Sequence, residues 1–471
     1  MDGLRLHRAA ADPAVAALPA LFTGDRAFTF AELAAPVARL AAGLAARGIG
    51  PGSRVALTAS NEPATVMILL ALIDLGATIV PIHPRLTTAE AEVLVTDAAP
   101  DLVLRDADLS TLEASAPHAR FTDLDPALPL AMVYTSGTTG KPKGAVLSRR
   151  AFLASAAASA QNLGWTAEDR WLLAMPLCHV GGLSIVTRCL LARRPIILLP
   201  RFEPAALLES IVLHRATLLS VVPTMLRALL DADRDNVLAR LRAVLTGGAA
   251  ASPALIDACA RRGVPALTTY GLTEACSQVA SQRPSSPYRP EPGAGRALPG
   301  VELRVQHDDP AAPGLIQVRG PTLMSGYWRG PGLPLDPATD ADGWLSTGDL
   351  GRLDAEGRLF VEARRADLVV TGGENVYPLE VERALESIPG VRAALVFGVP
   401  DERWGQVVAA AVERSASLDE GALAAAIKAR LAPHKRPRLV CFVAALPTRG
   451  PGKLDRMGAP ALLADHLRPL P

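Results

Sequence analysis

Cysteine, net charge and long apolar runs are all scarce in this chain. Its five cysteines, Cys178, Cys189, Cys259, Cys276 and Cys441, are scattered over 471 residues. None forms a CxxC pair, and an odd, widely spaced set makes a poor disulfide framework. A reducing, cytoplasmic setting is expected. Lysine plus arginine (48) nearly balances aspartate plus glutamate (47), giving a net charge of +1. That balance gives no reason to expect nucleic acid or a membrane surface as partner. Apolar runs such as Val66 to Ile73 are far too short to span a bilayer. Met1 to Pro13 carries neither the apolar core nor the cleavage signature of a leader, so no membrane insertion is expected. GxSxG and HExxH are both absent, which removes the serine elbow and the helical zinc pair. The eight histidines lack ligand spacing, and the adjacency of Cys178 and His179 in sequence does not make a catalytic pair.

What is present is an ordinary soluble composition, 49% apolar and 20% charged, in a chain long enough for two or three cores. The N-terminal two thirds alternates strand and helix patterns. Thr29 and Glu32 form a capping box for a helix from Phe30 to Gly48, with Leu33, Val37, Leu40 and Leu44 on one face. Pro36 fits poorly inside it. Strands are expected at Arg54 to Thr58, Thr78 to Ile82, Asp101 to Leu104, Trp171 to Met175, Ile196 to Leu199, Leu218 to Val222 and Ala243 to Leu245. Helical patterns lie between them. Such alternation predicts an α/β fold of parallel sheets covered on both faces, with ligands at the carboxyl ends of the strands. From about Ser281, proline and glycine crowd the chain and strands shorten, with a hairpin around Asp354 to Gly357. Beyond it a small α+β module opens at Pro378. The division expected is 1–364 and 365–471.

One loop carries the strongest chemical signal. After the apolar run Leu130 to Tyr134 come Thr135, Ser136, Gly137, Thr138, Thr139, Gly140, Lys141, Pro142, Lys143 and Gly144. Glycines let backbone N–H groups approach an anion, and hydroxyls and lysines add donors and charge. The pattern GxxxxGK[ST] is not met, and Pro142 opposes an immediate helix. The loop therefore reads as a flap between strands that closes over phosphates, with a polar turn as the alternative. Val244 to Ala249 runs a strand into the glycine turn Gly247, Gly248, Ala249. Thr269 to Glu274 places a tyrosine, a glycine and an acid at a strand's end, where they can supply a stacking face, a close backbone approach and a metal ligand.

The phosphate-type loop resembles that of the adenylate-forming enzymes: acyl-CoA synthetases, luciferases and peptide-synthetase adenylation domains. Further matches follow in the family's order over most of the chain. The resemblance implies a large N-terminal domain of parallel-sheet α/β subdomains with a small β-barrel-like part, and a small mobile C-terminal α+β domain. It implies ATP, Mg2+ and CoA as cofactors and a small-molecule carboxylic acid as substrate. By that resemblance Thr135, Ser136, Gly137, Thr138, Thr139 and Gly140, with Lys143, cradle the phosphates. Gly247, Gly248, Ala249, Gly271 and Thr273 line the nucleotide site. Tyr270 stacks on adenine, and Glu274 holds Mg2+, which favours few carboxylates plus phosphate oxygens. Asp349, in the run Ser346 to Asp349, grips the ribose diol, as a carboxylate can accept both hydroxyls. Arg364 reaches the nucleotide from the hinge, where Ala366 departs from the family's polar residue. Gly372 and Gly373 line a channel for the pantetheine arm. Lys453 matches the catalytic lysine, although Arg449 sits one place later than a basic residue usually does.

The stretch Met175 to Leu226 resembles the acid pocket of the o-succinylbenzoate-activating branch. His179 and Gly271 would border that pocket. Arg188 would either pair with a second substrate carboxylate or cap a helix in solvent. Other aryl or fatty acids, and a carrier protein in place of free CoA, stay open as alternatives. A non-catalytic nucleotide-binding regulator is disfavoured by retention of Lys453, Glu274 and Asp349. The oligomeric state is left open between monomer and homodimer.

Overall fold

The computed structural model describes residues 3–105, 112, 121, 123–136, 142–307, 312–364, 367–371, 374–415, 418–449 and 453–470. Two mixed sheets dominate the N-terminal part. The larger runs in the order 296–297, 277–281, 266–272, 243–246, 218–221, 171–173, 196–198, 19–23 and 26–29. Its interior pairings, from Ala266–Leu272 across to Pro19–Thr23, are parallel. Antiparallel strands close both edges. The second sheet runs 326–327, 142–148, 129–136, 78–82, 54–58 and 102–104. Its pairings from 129–136 out to the edge strand 102–104 are parallel, and those on the other side are antiparallel. The expected strands and helices stand within a few residues of their positions in the sequence reading.

The parallel strands are buried on both faces because helices cover each side, which is why they read as continuous apolar runs. Leu130, Ala131, Met132 and Val133 are all but fully buried. Full burial of a leucine or valine contributes about 1.5–3 kcal/mol each. The helix Phe30–Ala46 forms through Pro36, with the Thr29–Glu32 capping box made in both directions. Packing overrides the proline: Leu33, Val37, Leu40 and Leu44 all face the core. Where a small barrel-like part was expected stands a four-stranded antiparallel sheet, ordered 302–306, 314–319, 345–353 and 359–364. Its last pairing brings Leu353 opposite Leu359 across the expected hairpin.

Beyond Arg364 a separate sheet begins at Val369–Thr371. Its long strands Val391–Asp401 and Gly405–Arg414 pair along their whole length. Val396, Val408, Ala410 and Val412 face the helices Pro378–Glu386 and Glu420–Arg430, while Leu395, Phe397, Ala409 and Ala411 face Leu446 and Leu463. Strand alternation thus serves two cores from one sheet. This unit also touches the rest of the chain. Arg383 pairs with Glu362 at 3.2 Å, and the Glu386 carboxylate accepts a hydrogen bond from Ser252.

Candidate active site

The carboxyl ends of the parallel strands collect the chemistry. Ala243–Thr246 ends in the glycine turn expected at Gly247, Gly248 and Ala249. Gly248 has φ +79, a left-handed conformation that side chains rarely adopt. A Cβ there would lie 3.7 Å from Cε of Lys453. The exposed Lys453, carried by the C-terminal unit, therefore lies against the glycine turn of the N-terminal part. A Cβ on Gly247 would come within 2.4 Å of Oγ1 of Thr269, so this turn is also pressed against the neighbouring strand.

That neighbour, Ala266–Leu272, carries Tyr270 and Gly271. At Gly271 the antiparallel partner shifts register, and a Cβ would lie 1.8 Å from the carbonyl oxygen of Ser277. The close approach to that strand alone requires glycine here. The Tyr270 hydroxyl donates to Oδ2 of Asp349 at 2.6 Å. Asp349 lies in Leu345–Leu353, and its backbone sits opposite Arg364 in the ladder. Gly348, with φ +77, turns the chain so that the Asp349 N–H meets Oγ1 of Thr347.

Thr273 opens a short helical turn, Thr273–Ala275, that presents Glu274 half-buried. The Tyr327 hydroxyl donates to Oε1 of Glu274 at 2.9 Å. Over the same tyrosine ring sits the ammonium of Lys143, 5.1 Å from the centroid. Tyr327 thus links the flap's lysine to the expected metal-ligating acid. The sequence reading missed it. Its signal was weak: one of five tyrosines, on the two-residue strand Gly326–Tyr327 that pairs with the flap's return strand.

The flap itself is a hairpin. Pro129–Ser136 and Pro142–Ser148 pair antiparallel, with Thr135 opposite Lys143 and Ser136 opposite Pro142. Gly137, Thr138, Thr139 and Gly140 lie outside the described residues, as do Ala366, Gly372 and Gly373. Of Arg364 only the backbone is described. Lys453 is placed by Arg456, three residues on, which makes two hydrogen bonds at 3.1 Å to the buried Glu382 and pairs with Asp367 at 3.5 Å. Burial pushes Glu382 up to about 7 despite the guanidinium beside it.

His179 stands at the start of the helix Val180–Ala192. Its Nε2 is buried without a hydrogen-bond partner among the described residues. Burial, then the nearby His83 and Lys453, hold its imidazole down to about 4. His179, Lys453 and Gly248 thus share one region. Burial removes one of the two readings of Arg188. It is 3% exposed in the middle of that helix, so it caps no helix in solvent. Its guanidinium lies 5.7 Å from the Trp171 ring, and its Nε and Nη2 find no hydrogen-bond partner among the described residues. Burial lowers it to about 10.

A glycine turn at the end of a parallel strand, an acid–tyrosine clasp, a flap lysine and a lysine from the C-terminal unit define an enzyme that handles a nucleotide and a second small substrate. The chain matches the model of the AMP-binding enzyme family over residues 6–328 and that of the AMP-binding enzyme C-terminal domain over 380–453. It belongs to that family, and is an ATP-dependent ligase of the adenylate-forming kind. It is 37% identical to the 2-succinylbenzoate–CoA ligase of Bacillus velezensis, over 93% of each chain. It is 36% identical to the indoleacetate–CoA ligase of Aromatoleum aromaticum, over 93% of this chain and 94% of that one. The o-succinylbenzoate CoA synthetase of Bacillus subtilis, solved with its acyl-adenylate intermediate, superposes with a TM-score of 0.87 at 33% identity, covering 97% of both chains.

Proposed function

We propose that this enzyme joins 2-succinylbenzoate to CoA through an acyl-adenylate. The observation that carries the reading is the approach of Lys453 to the Gly248 turn beside His179. It supports a site in which the C-terminal unit completes the adenylation machinery.

A carboxylate acylates poorly because oxide is a poor leaving group. Its attack on the α-phosphorus of ATP releases pyrophosphate and leaves a mixed anhydride, the acyl-adenylate. Negative charge gathers on the phosphoryl oxygens and the incoming carboxylate. Pre-placed donors that need no reorganisation stabilise that charge best. Lys453 supplies a cation from one unit, and Lys143 with the flap hydroxyls supplies donors from the other. Tyr270 and Asp349 hold the adenosine end. Glu274, half-buried and aligned by Tyr327, fits the single carboxylate that Mg2+ takes beside phosphate oxygens. Bound there, Mg2+ would neutralise phosphate charge. Thiol attack by CoA then displaces AMP, after the unit beyond Arg364 has turned to bring Gly372 and Gly373 to the site.

The orphaned nitrogens of buried Arg188 favour an acid with a second anionic group. A buried guanidinium with two nitrogens unpartnered among the described residues carries a penalty that such a carboxylate would relieve. The likeness to an indoleacetate–CoA ligase supports a monocarboxylic aryl acid as the second reading. AMP release with CoA, measured over a panel of acids, separates them. 2-Succinylbenzoate should exceed indoleacetate and benzoate in kcat/KM by at least about tenfold. Arg188→Met should erase that margin. A preference for indoleacetate overturns the substrate assignment. The buried free thiols support a cytoplasmic setting.

A further inference from the structure

Two side chains that the adenylation chemistry leaves unused stand beside His179. His83 follows the parallel strand Thr78–Ile82, and Cys178 precedes the helix Val180–Ala192. One ligating atom from each of His83, Cys178 and His179 lies within 4.8 Å of the other two. The two imidazole rings are 5.6 Å apart and tilted by 57°. We propose that His83, Cys178 and His179 form a binding site for one zinc ion in the wall of the acid cleft, two imidazoles and one thiolate with a fourth position open.

The donor set is the first support. Nitrogen and sulfur ligands at about 2.0–2.1 and 2.3 Å suit tetrahedral Zn2+, and three protein ligands plus one open position is a common arrangement. Tetrahedral bonds of those lengths place ligand atoms about 3.4–3.6 Å apart, so the triad must close by roughly an ångström. The second support is the buried, unpartnered Nε2 of His179, since buried polar atoms ordinarily find partners. The third is rigidity. Asn61 donates to the carbonyls of Met175 and Leu199 and accepts from the Leu177 N–H. A Cβ on Gly182 would strike the Pro176 carbonyl oxygen at 2.3 Å, so the turn bearing Cys178 and His179 is tightly wound.

Two terms oppose binding. The Arg85 N–H donates to Nδ1 of His83 at 2.9 Å, and that bond must be given up if the ring is to ligate with the other nitrogen carrying a proton. Cys178 is held as a thiol, pushed up to about 12 by burial. Zinc binding therefore expels the Cys178 proton to solvent, and affinity must rise with pH. Both imidazoles are already held neutral by burial, which is their ligating form.

Cobalt(II) titrated into the full-length enzyme gives the test. The expected result is one equivalent bound, with visible bands of four-coordinate cobalt and a thiolate-to-cobalt charge-transfer band that zinc abolishes. Cys178→Ser should remove the charge-transfer band, and His83→Ala should weaken zinc binding by at least about tenfold. In acid-dependent turnover, micromolar zinc should raise the KM for the acid in the wild type and leave Cys178→Ser unaffected. A wild type without the charge-transfer band, or a band that persists in Cys178→Ser, overturns the site. Binding with an unchanged KM overturns its place in the acid cleft, while the spectra stand apart from any assumption about the substrate.

Discussion

Tyr270 and Asp349, 79 residues apart in sequence, are joined by a 2.6 Å hydrogen bond from phenol to carboxylate. The bond fixes the Asp349 carboxylate beside the aromatic ring. Asp349→Ala should weaken ATP binding by about 10- to 100-fold, the value of one or two hydrogen bonds to a charged acceptor. Tyr270→Phe keeps the ring and loses only the positioning bond, so its effect should stay below about tenfold. Calorimetric titration of ATP into each variant measures both. A larger loss in Tyr270→Phe would reverse the assigned roles.

Tyr327 touches both Glu274, the acid proposed to hold Mg2+, and the flap lysine Lys143. Tyr327→Phe keeps the ring beneath Lys143 and removes the hydroxyl that orients Glu274. The Mg2+ concentration for half-maximal rate should rise about tenfold, the lower end for one hydrogen bond to a charged carboxylate that orients a metal ligand. ATP affinity without Mg2+ should not change. Rates over a magnesium series check this, and an unchanged magnesium requirement would leave Tyr327 a packing residue.

Much of this arrangement was legible in the sequence, for physical reasons that differ by region. The Thr29–Glu32 capping box is local, and it forms. The parallel strands announce themselves because burial on both faces makes them uniformly apolar. Arg188 stayed between two readings because a guanidinium in an apolar helix can face either solvent or a site, and only the packing near Trp171 shows it buried. Tyr327 and Arg456 act through partners 53 and 74 residues away, which no local pattern encodes. The triad of His83, Cys178 and His179 was invisible for the same reason. The turn at Cys178 and the strand end at His83 meet only in the folded chain.

Glu382 makes the C-terminal unit sensitive to pH. Its carboxyl is raised from 4.5 to about 7, so the folded state holds this proton more tightly than the unfolded chain. Between those values folding takes up a proton, and this group's contribution to stability falls as pH rises. Glu382→Gln should flatten that slope in denaturant melts at pH 5, 6, 7 and 8. At pH 8, where Glu382 is largely ionised, Arg456→Ala leaves it buried without its cation and should destabilise the unit by up to about 3–5 kcal/mol. A variant as stable as the wild type would show the pair to be idle.

His179 should not titrate in the working range. Its imidazole, lowered to about 4, stays neutral above roughly pH 5. The acid-dependent rate of the wild type and of His179→Gln should share one pH profile shape from pH 6 to 8, even if KM differs. An inflection near 6.5 that disappears in the variant would contradict the burial argument.

Lys453 is the only group among those assigned to the adenylation step that arrives from the C-terminal unit, and the central claim rests on it. The direct measurement compares Lys453→Ala with the wild type in two half-reactions: acid-dependent exchange of pyrophosphate into ATP, and thioester formation from supplied acyl-adenylate and CoA. The exchange should fall by about 10²- to 10³-fold, the effect of removing one pre-placed donor from a transition state, while thioester formation stays within severalfold of wild type. Equal losses in both, or undiminished exchange, would contradict the account.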